Sequence, residues 1–128
     1  MKLMEYSKKK MNKTWFIDID GVIFPHNGYL NLDQTEIETP LPGVADFFRY
    51  LDPADQVVLV TARSKKYELF TKNSLEINNI RYNLIIFDLP NGPRIIINDM
   101  KESGLKTAFA INVKRNSGLK RVVKRTIR

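Results

Sequence analysis

The apolar run Trp15-Phe16-Ile17 passes directly into Asp18-Ile19-Asp20-Gly21-Val22. Apolar residues on both faces up to Ile17 predict a strand buried on both sides, as in a parallel sheet. Side chains alternate along a strand, so Asp18 and Asp20 emerge on the same side if the strand persists. Gly21 lets the chain turn away at once. Two like charges this close are costly unless a cation or a shared proton offsets them. Open α/β sheets bind ligands at the carboxyl ends of their strands, and there Mg2+ is the natural candidate. The alternative is a solvated acidic turn whose carboxylates cap the next element.

Three further runs set the fold class. Gln56-Val57-Val58-Leu59-Val60-Thr61-Ala62-Arg63 ends in a hydroxyl and a guanidinium, and Leu84-Ile85-Ile86-Phe87-Asp88 in a carboxylate. Arg94-Ile95-Ile96-Ile97-Asn98-Asp99 ends in an amide and a carboxylate. Strands are expected at 14–20, 56–61, 83–87, 95–98 and 106–113, with helices at 42–51 and 65–78. Strands alternating with helical segments predict a three-layer α/β/α sandwich around a central parallel sheet. The segment 24–39 has no sustained period and reads as a loop or small hairpin over the site.

At 128 residues the chain is one domain's worth. Cysteine is absent, which excludes disulfides, thiolate catalysis and cysteine-ligated zinc and fits a reducing compartment. No apolar stretch approaches the ~20 residues of a membrane span, and residues 1–13 lack the apolar core of a secretory signal. A cytoplasmic protein is expected. The net charge of +7 is uneven: residues 1–13 form a basic arm, 114–128 a basic tail without acids, and the body at 14–113 is mildly acidic. In the tail, Leu119, Val122, Val123 and Ile127 fall on one helical face. That face predicts a helix packed on the domain; the alternative is a tail that meets nucleic acid or an anionic surface.

The order of these motifs resembles the haloacid dehalogenase (HAD) superfamily of phosphohydrolases, over roughly residues 14 to 113. The segments Leu41-Pro42-Gly43-Val44, Val60-Thr61-Ala62-Arg63, Ile95-Ile96-Ile97-Asn98-Asp99 and Ser103-Gly104-Leu105-Lys106-Thr107-Ala108 are similar to its small cap-less members, described as capsule or polysaccharide biosynthesis phosphatases. The resemblance implies a Mg2+-dependent phosphatase with a HAD-like, Rossmannoid sheet and no large cap domain. Asp18 would be the nucleophile that forms an aspartyl-phosphate, and Asp20 the general acid and base. Asp18, the backbone carbonyl of Asp20 and Asp99 would hold Mg2+, with Asn98 beside them. Thr61, followed by Ala62 and Arg63, would bind the phosphoryl group. The cation that neutralises it is Arg94 by order, with Arg63 and Lys101 as rivals.

Other readings differ in class. His26 reads as a solvated loop residue or a substrate contact, and Asp88 as a turn cap. A receiver domain would need adjacent acids after the first strand and a hydroxyl where Asn98 stands. No Gly-x-x-x-x-Gly-Lys-Ser/Thr loop is present, which removes P-loop nucleotide hydrolysis. A non-catalytic phosphate- or nucleic-acid-binding module on the same fold is the remaining alternative. Without a cap the site is open, to be left so for a large substrate or covered by a second copy in a homo-oligomer. A sugar phosphate is the expected substrate, and a phosphorylated nucleic-acid end the runner-up.

Overall fold

The computed structural model describes residues 11–26 and 37–124. Most of the basic arm, the middle of the loop after the first strand, and tail residues 125–128, including Ile127, lie outside the described residues. Within them the chain builds an α/β fold. β1 (Thr14–Asp18), β2 (Gln56–Val60) and β3 (Leu84–Ile86) form a parallel sheet in the order β1-β2-β3. α1 (Val44–Tyr50) connects β1 to β2, and a 3₁₀ turn (Lys65–Tyr67) leads into α2 (Glu68–Ile77) between β2 and β3.

Register decides which face is buried. Trp15 pairs with Val57, and Ile17 with Leu59, which pairs in turn with Ile85; these side chains share one face. Val44, Phe47 and Phe48 of α1 and Leu75 of α2 join Ile17, Val57 and Leu59 in a single apolar cluster, so both helices cover that face. The Trp15 ring meets Phe47 edge-on at 5.2 Å. On the opposite face Phe16 is 54% exposed and Leu84 53%. Among the described residues the sheet therefore carries helices on one face.

Two glycines join the tail to this frame. Gly43, at φ 82°, precedes α1, and Gly118 sits at φ 80°. A Cβ on Gly43 would collide with the backbone of Lys120, and one on Gly118 with the carbonyl of Pro42. This approach lets the Leu119 amide donate to the Pro42 carbonyl at 2.8 Å. A short α3 (Lys120–Val122) follows, and Leu119, Val122 and Val123 are buried in the main cluster. No helix among the described residues is long and apolar enough to cross a membrane.

The expected strands at 95–98 and 106–113 are not strands in this structure. A parallel return to a sheet needs a crossover of about a dozen residues or more. Only Phe87 to Pro93 separate β3 from Arg94, and Pro90, Gly92 and Pro93 prevent a helix there. The chain instead doubles back on itself. Lys101 N–H donates to the Leu105 carbonyl at 3.0 Å, and Asn98 Nδ2 to Thr107 Oγ1 at 2.8 Å. Ile95 and Ile97 are left 83% and 95% exposed.

Asp55, in the turn before β2, is buried and ties the chain preceding β1 to the sheet. Its carboxylate accepts from Lys13 N–H at 2.9 Å and from Trp15 Nε1 at 3.0 Å. Leaving a buried donor unsatisfied costs about 1–3 kcal/mol. Asp55→Ala should therefore lower the unfolding free energy in urea by about 2–4 kcal/mol. A loss below about 0.5 kcal/mol, the ordinary surface value, would show that this tie is not structural.

Candidate active site

β1 stops at Asp18 because the next carbonyl is taken over by a turn. Ile19 C=O accepts from the amides of Val22, Ile23 and Phe24 at 3.3, 2.9 and 3.1 Å. Gly21, at φ 88°, is what makes this turn possible. The expected side-by-side emergence of Asp18 and Asp20 from a continuing strand is thus replaced by a curl. Both acids nevertheless line one cavity of about 340 Å³, together with Ala62, His26, Arg94 and Arg115.

Asp18 is partly exposed to this cavity. Its Oδ1 accepts from Ile19 N–H at 3.0 Å, and its Oδ2 lies 3.7 Å from Arg94 Nη1. Burial pushes its pKa above the usual carboxylate value, and the neighbouring Asp20 adds to the rise. The Arg94 charge and the Ile19 amide oppose it without cancelling it. Of the three cations expected from sequence, Arg94 is the one lining the cavity.

Arg63 takes another position. Its side chain is fully buried, and every N–H of its guanidinium has an acceptor. Nε and Nη2 donate to the two oxygens of Asp20 at 3.1 and 2.9 Å. Nη1 and Nη2 donate to the two oxygens of Glu38 at 2.9 and 2.6 Å, and Nη1 also reaches Thr71 Oγ1 at 3.1 Å. Burial alone would lower its pKa, but the hydrogen bonds and charges of Glu38 and Asp20 drive it upward, so the guanidinium stays charged. It is a structural cation, not one that faces the cavity.

Thr61 is buried, and its hydroxyl accepts from Arg63 N–H at 3.0 Å; the cavity wall next to it is Ala62. Asn98, Asp99 and Lys101 are exposed in the doubled-back segment and are not among the cavity's lining residues. No group of three or more His, Cys, Asp or Glu among the described residues could hold a metal ion. The ligand set expected for Mg2+ is not brought together in this arrangement: Asp18 and Asp20 line the cavity, whereas Asp99 and Asn98 lie in the exposed doubled-back segment.

Sequence reasoning missed Glu38 and Arg115. Arg115 Cγ packs at 3.3 Å from where a Gly21 Cβ would stand, so the glycine lets its stem close the cavity. The Asn116 amide donates to the Gly21 carbonyl at 2.9 Å, and Asn116 Oδ1 accepts from His26 N–H at 2.8 Å. Any signal for Arg115 lay in its position after the last apolar run, where it reads as one of many tail cations. Glu38 lies in an aperiodic loop with other acids, and nothing in the pattern singles it out.

Removing one partner from a buried ion pair typically costs about 3–5 kcal/mol, because the remaining charge is left uncompensated. Arg63→Met leaves two carboxylates without their cation and should destabilise the domain by about that much, read from denaturant unfolding. A loss under about 1 kcal/mol would mean that the network behaves like a surface pair. No family model matches this chain, and neither a curated protein nor a solved structure matches it.

Proposed function

We propose that this chain is a phosphohydrolase of the HAD type that cleaves phosphate monoesters through an aspartyl-phosphate on Asp18, with Mg2+ as its cofactor. The observation that carries this reading is the pairing of a partly exposed carboxylate at the carboxyl end of a parallel strand with two arginines in one cavity. A phosphoryl group brings negative charge to a nucleophile that is itself negative, so cations must sit beside the carboxylate. Arg94 and Arg115 meet that need, and Arg94 also favours the ionised, nucleophilic form of Asp18.

In the first step an Asp18 oxygen bonds to phosphorus as the ester oxygen departs, and Asp20 gives that oxygen a proton. In the second, water attacks the aspartyl-phosphate, Asp20 takes its proton, and inorganic phosphate leaves with Asp18 restored. Asp20 has both oxygens on Arg63 in the arrangement described, so proton transfer requires one of them to be released.

The proposal includes the full three-layer sandwich. β1 has β2 on one side and, among the described residues, no strand on the other, while the isoleucines of 95–98 stand in solvent. Docking that segment on this edge as a parallel fourth strand would remove apolar surface from water, with residues 87–94 crossing the sheet as extended chain in place of the helix for which they have no room. Asn98 and Asp99 would then follow at the same end of the sheet as Asp18. Mg2+ is the cofactor that the resemblance implies. The absence of cysteine supports a cytoplasmic setting, and a second copy covering the open site belongs to the same reading. A sugar phosphate is the preferred substrate. The cations Arg115, Lys120, Arg121 and Lys124 in the described part of the tail favour a nucleic-acid end phosphate as the second reading.

A phosphate-release screen over sugar phosphates, nucleotides and phosphorylated DNA ends, with Mg2+ or EDTA, tests the proposal. Asp18→Asn should abolish turnover, since an amide is a poor nucleophile. Asp20→Asn should reduce kcat by about 10²–10⁴-fold. Full activity in Asp18→Asn would remove the covalent mechanism.

Docking of 95–98 has its own check. Ile97→Ala should cost about 2–5 kcal/mol if the isoleucine is buried in the working protein, and no more than about 0.5 kcal/mol if it stays in water. The first outcome is expected.

A further inference from the structure

The phosphohydrolase reading gives Asp20 a task but leaves open what aims its carboxylate. Arg63 is held between two acids, and only one of them touches the cavity. Glu38 faces the guanidinium from the other side and is itself held by α2: its Oε1 accepts from Ser74 Oγ at 3.0 Å, and its backbone carbonyl from Asn78 Nδ2 at 3.0 Å. Thr71 of the same helix takes another N–H of Arg63. A contiguous set of polar contacts thus runs from α2 through Glu38 and Arg63 to Asp20 at the cavity wall.

We infer that Glu38 is a positioning residue for Asp20 and acts through Arg63. This rests on the reading above for the chemical role of Asp20, but the physical coupling does not depend on it. Three observations support it. Asp20 accepts from Arg63 with both oxygens, a bidentate geometry that fixes the plane of the carboxylate as well as its place. A long arginine side chain holds that plane only if its own head is fixed, and Glu38 supplies a second bidentate contact on the remaining edge. Two carboxylates share one guanidinium, so neither holds it alone. When an oxygen of Asp20 leaves for the substrate, Glu38 keeps Arg63 paired, and the buried cation is not stranded.

Glu38→Gln keeps the shape but removes the charge and one acceptor oxygen. With p-nitrophenyl phosphate as the probe, kcat should fall roughly tenfold to a hundredfold, the scale of small misplacements near the reacting atoms. KM should stay within about twofold, because Glu38 does not line the cavity. Glu38→Asp, which restores the charge with a shorter reach, should recover part of the loss. Unchanged kcat in a folded Glu38→Gln protein, assayed well below its melting temperature, would overturn the inference.

A second measurement needs no activity. The Arg63 Nε–H resonance, assigned by its loss in Arg63→Lys, should shift in Asp20→Asn and again in Glu38→Gln. A signal unmoved by either change would overturn the coupling. If the wild-type protein cleaves no phosphate monoester while both shifts are seen, the positioning unit stands and the phosphohydrolase reading falls.

Discussion

A guanidinium without access to water must find an acceptor for each N–H and a counter-charge for itself. Arg63 meets both demands by drawing on three parts of the chain: the turn after β1, the loop at Glu38 and the helix α2. These elements are distant in sequence, and much of what else joins them is apolar packing, which is indifferent to direction. The ion network adds direction. It ties Asp20, in the turn after β1, to the loop at Glu38 and to α2.

Around this centre, the protein divides into a well-packed half and an open one. Helices cover the Trp15 and Ile17 face of the sheet, and the tail closes over α1 through backbone contacts that glycine alone permits. Among the described residues the Phe16 face and the outer edge of β1 have no comparable cover. A parallel edge without a partner among the described residues and an exposed run of three isoleucines are both prone to pairing, whether within the chain or between copies.

Periodicity and strand chemistry made much of the frame legible. Trp15–Ile17, Gln56–Val60 and Leu84–Ile86 read as parallel strands and are parallel strands, but the burial on both sides expected of the first is not met, since Phe16 is exposed. Val44, Phe47, Phe48 and Leu51 read as a helix face and are buried. The acids of Asp18-Ile19-Asp20 were visible because a costly charge pair stands out after an apolar run. Arg94 was ranked by its order in the chain. Three features were not legible. Ile95 to Asn98 has the composition of a strand, but pairing depends on the connection before it, which has no room for a crossover helix. Arg63 follows a strand and reads as a cation facing ligand. Its burial depends on Glu38, a partner from a loop without a pattern. Arg115 depends on the tail returning to Gly21, a long-range contact that local propensity does not encode.

That return has a consequence for how the protein comes into being. The chain leaves the ribosome from its amino end, so Asp18 and Asp20 emerge before the wall bearing Arg115 and its anchor at Gly118 are made. Until then the acids are without the full set of arginines of the mature cavity. During that interval the nascent chain offers bare carboxylates to whatever cations and chaperones surround it. The cavity acquires its balance of charge only in a closing act, when Leu119 docks on Pro42.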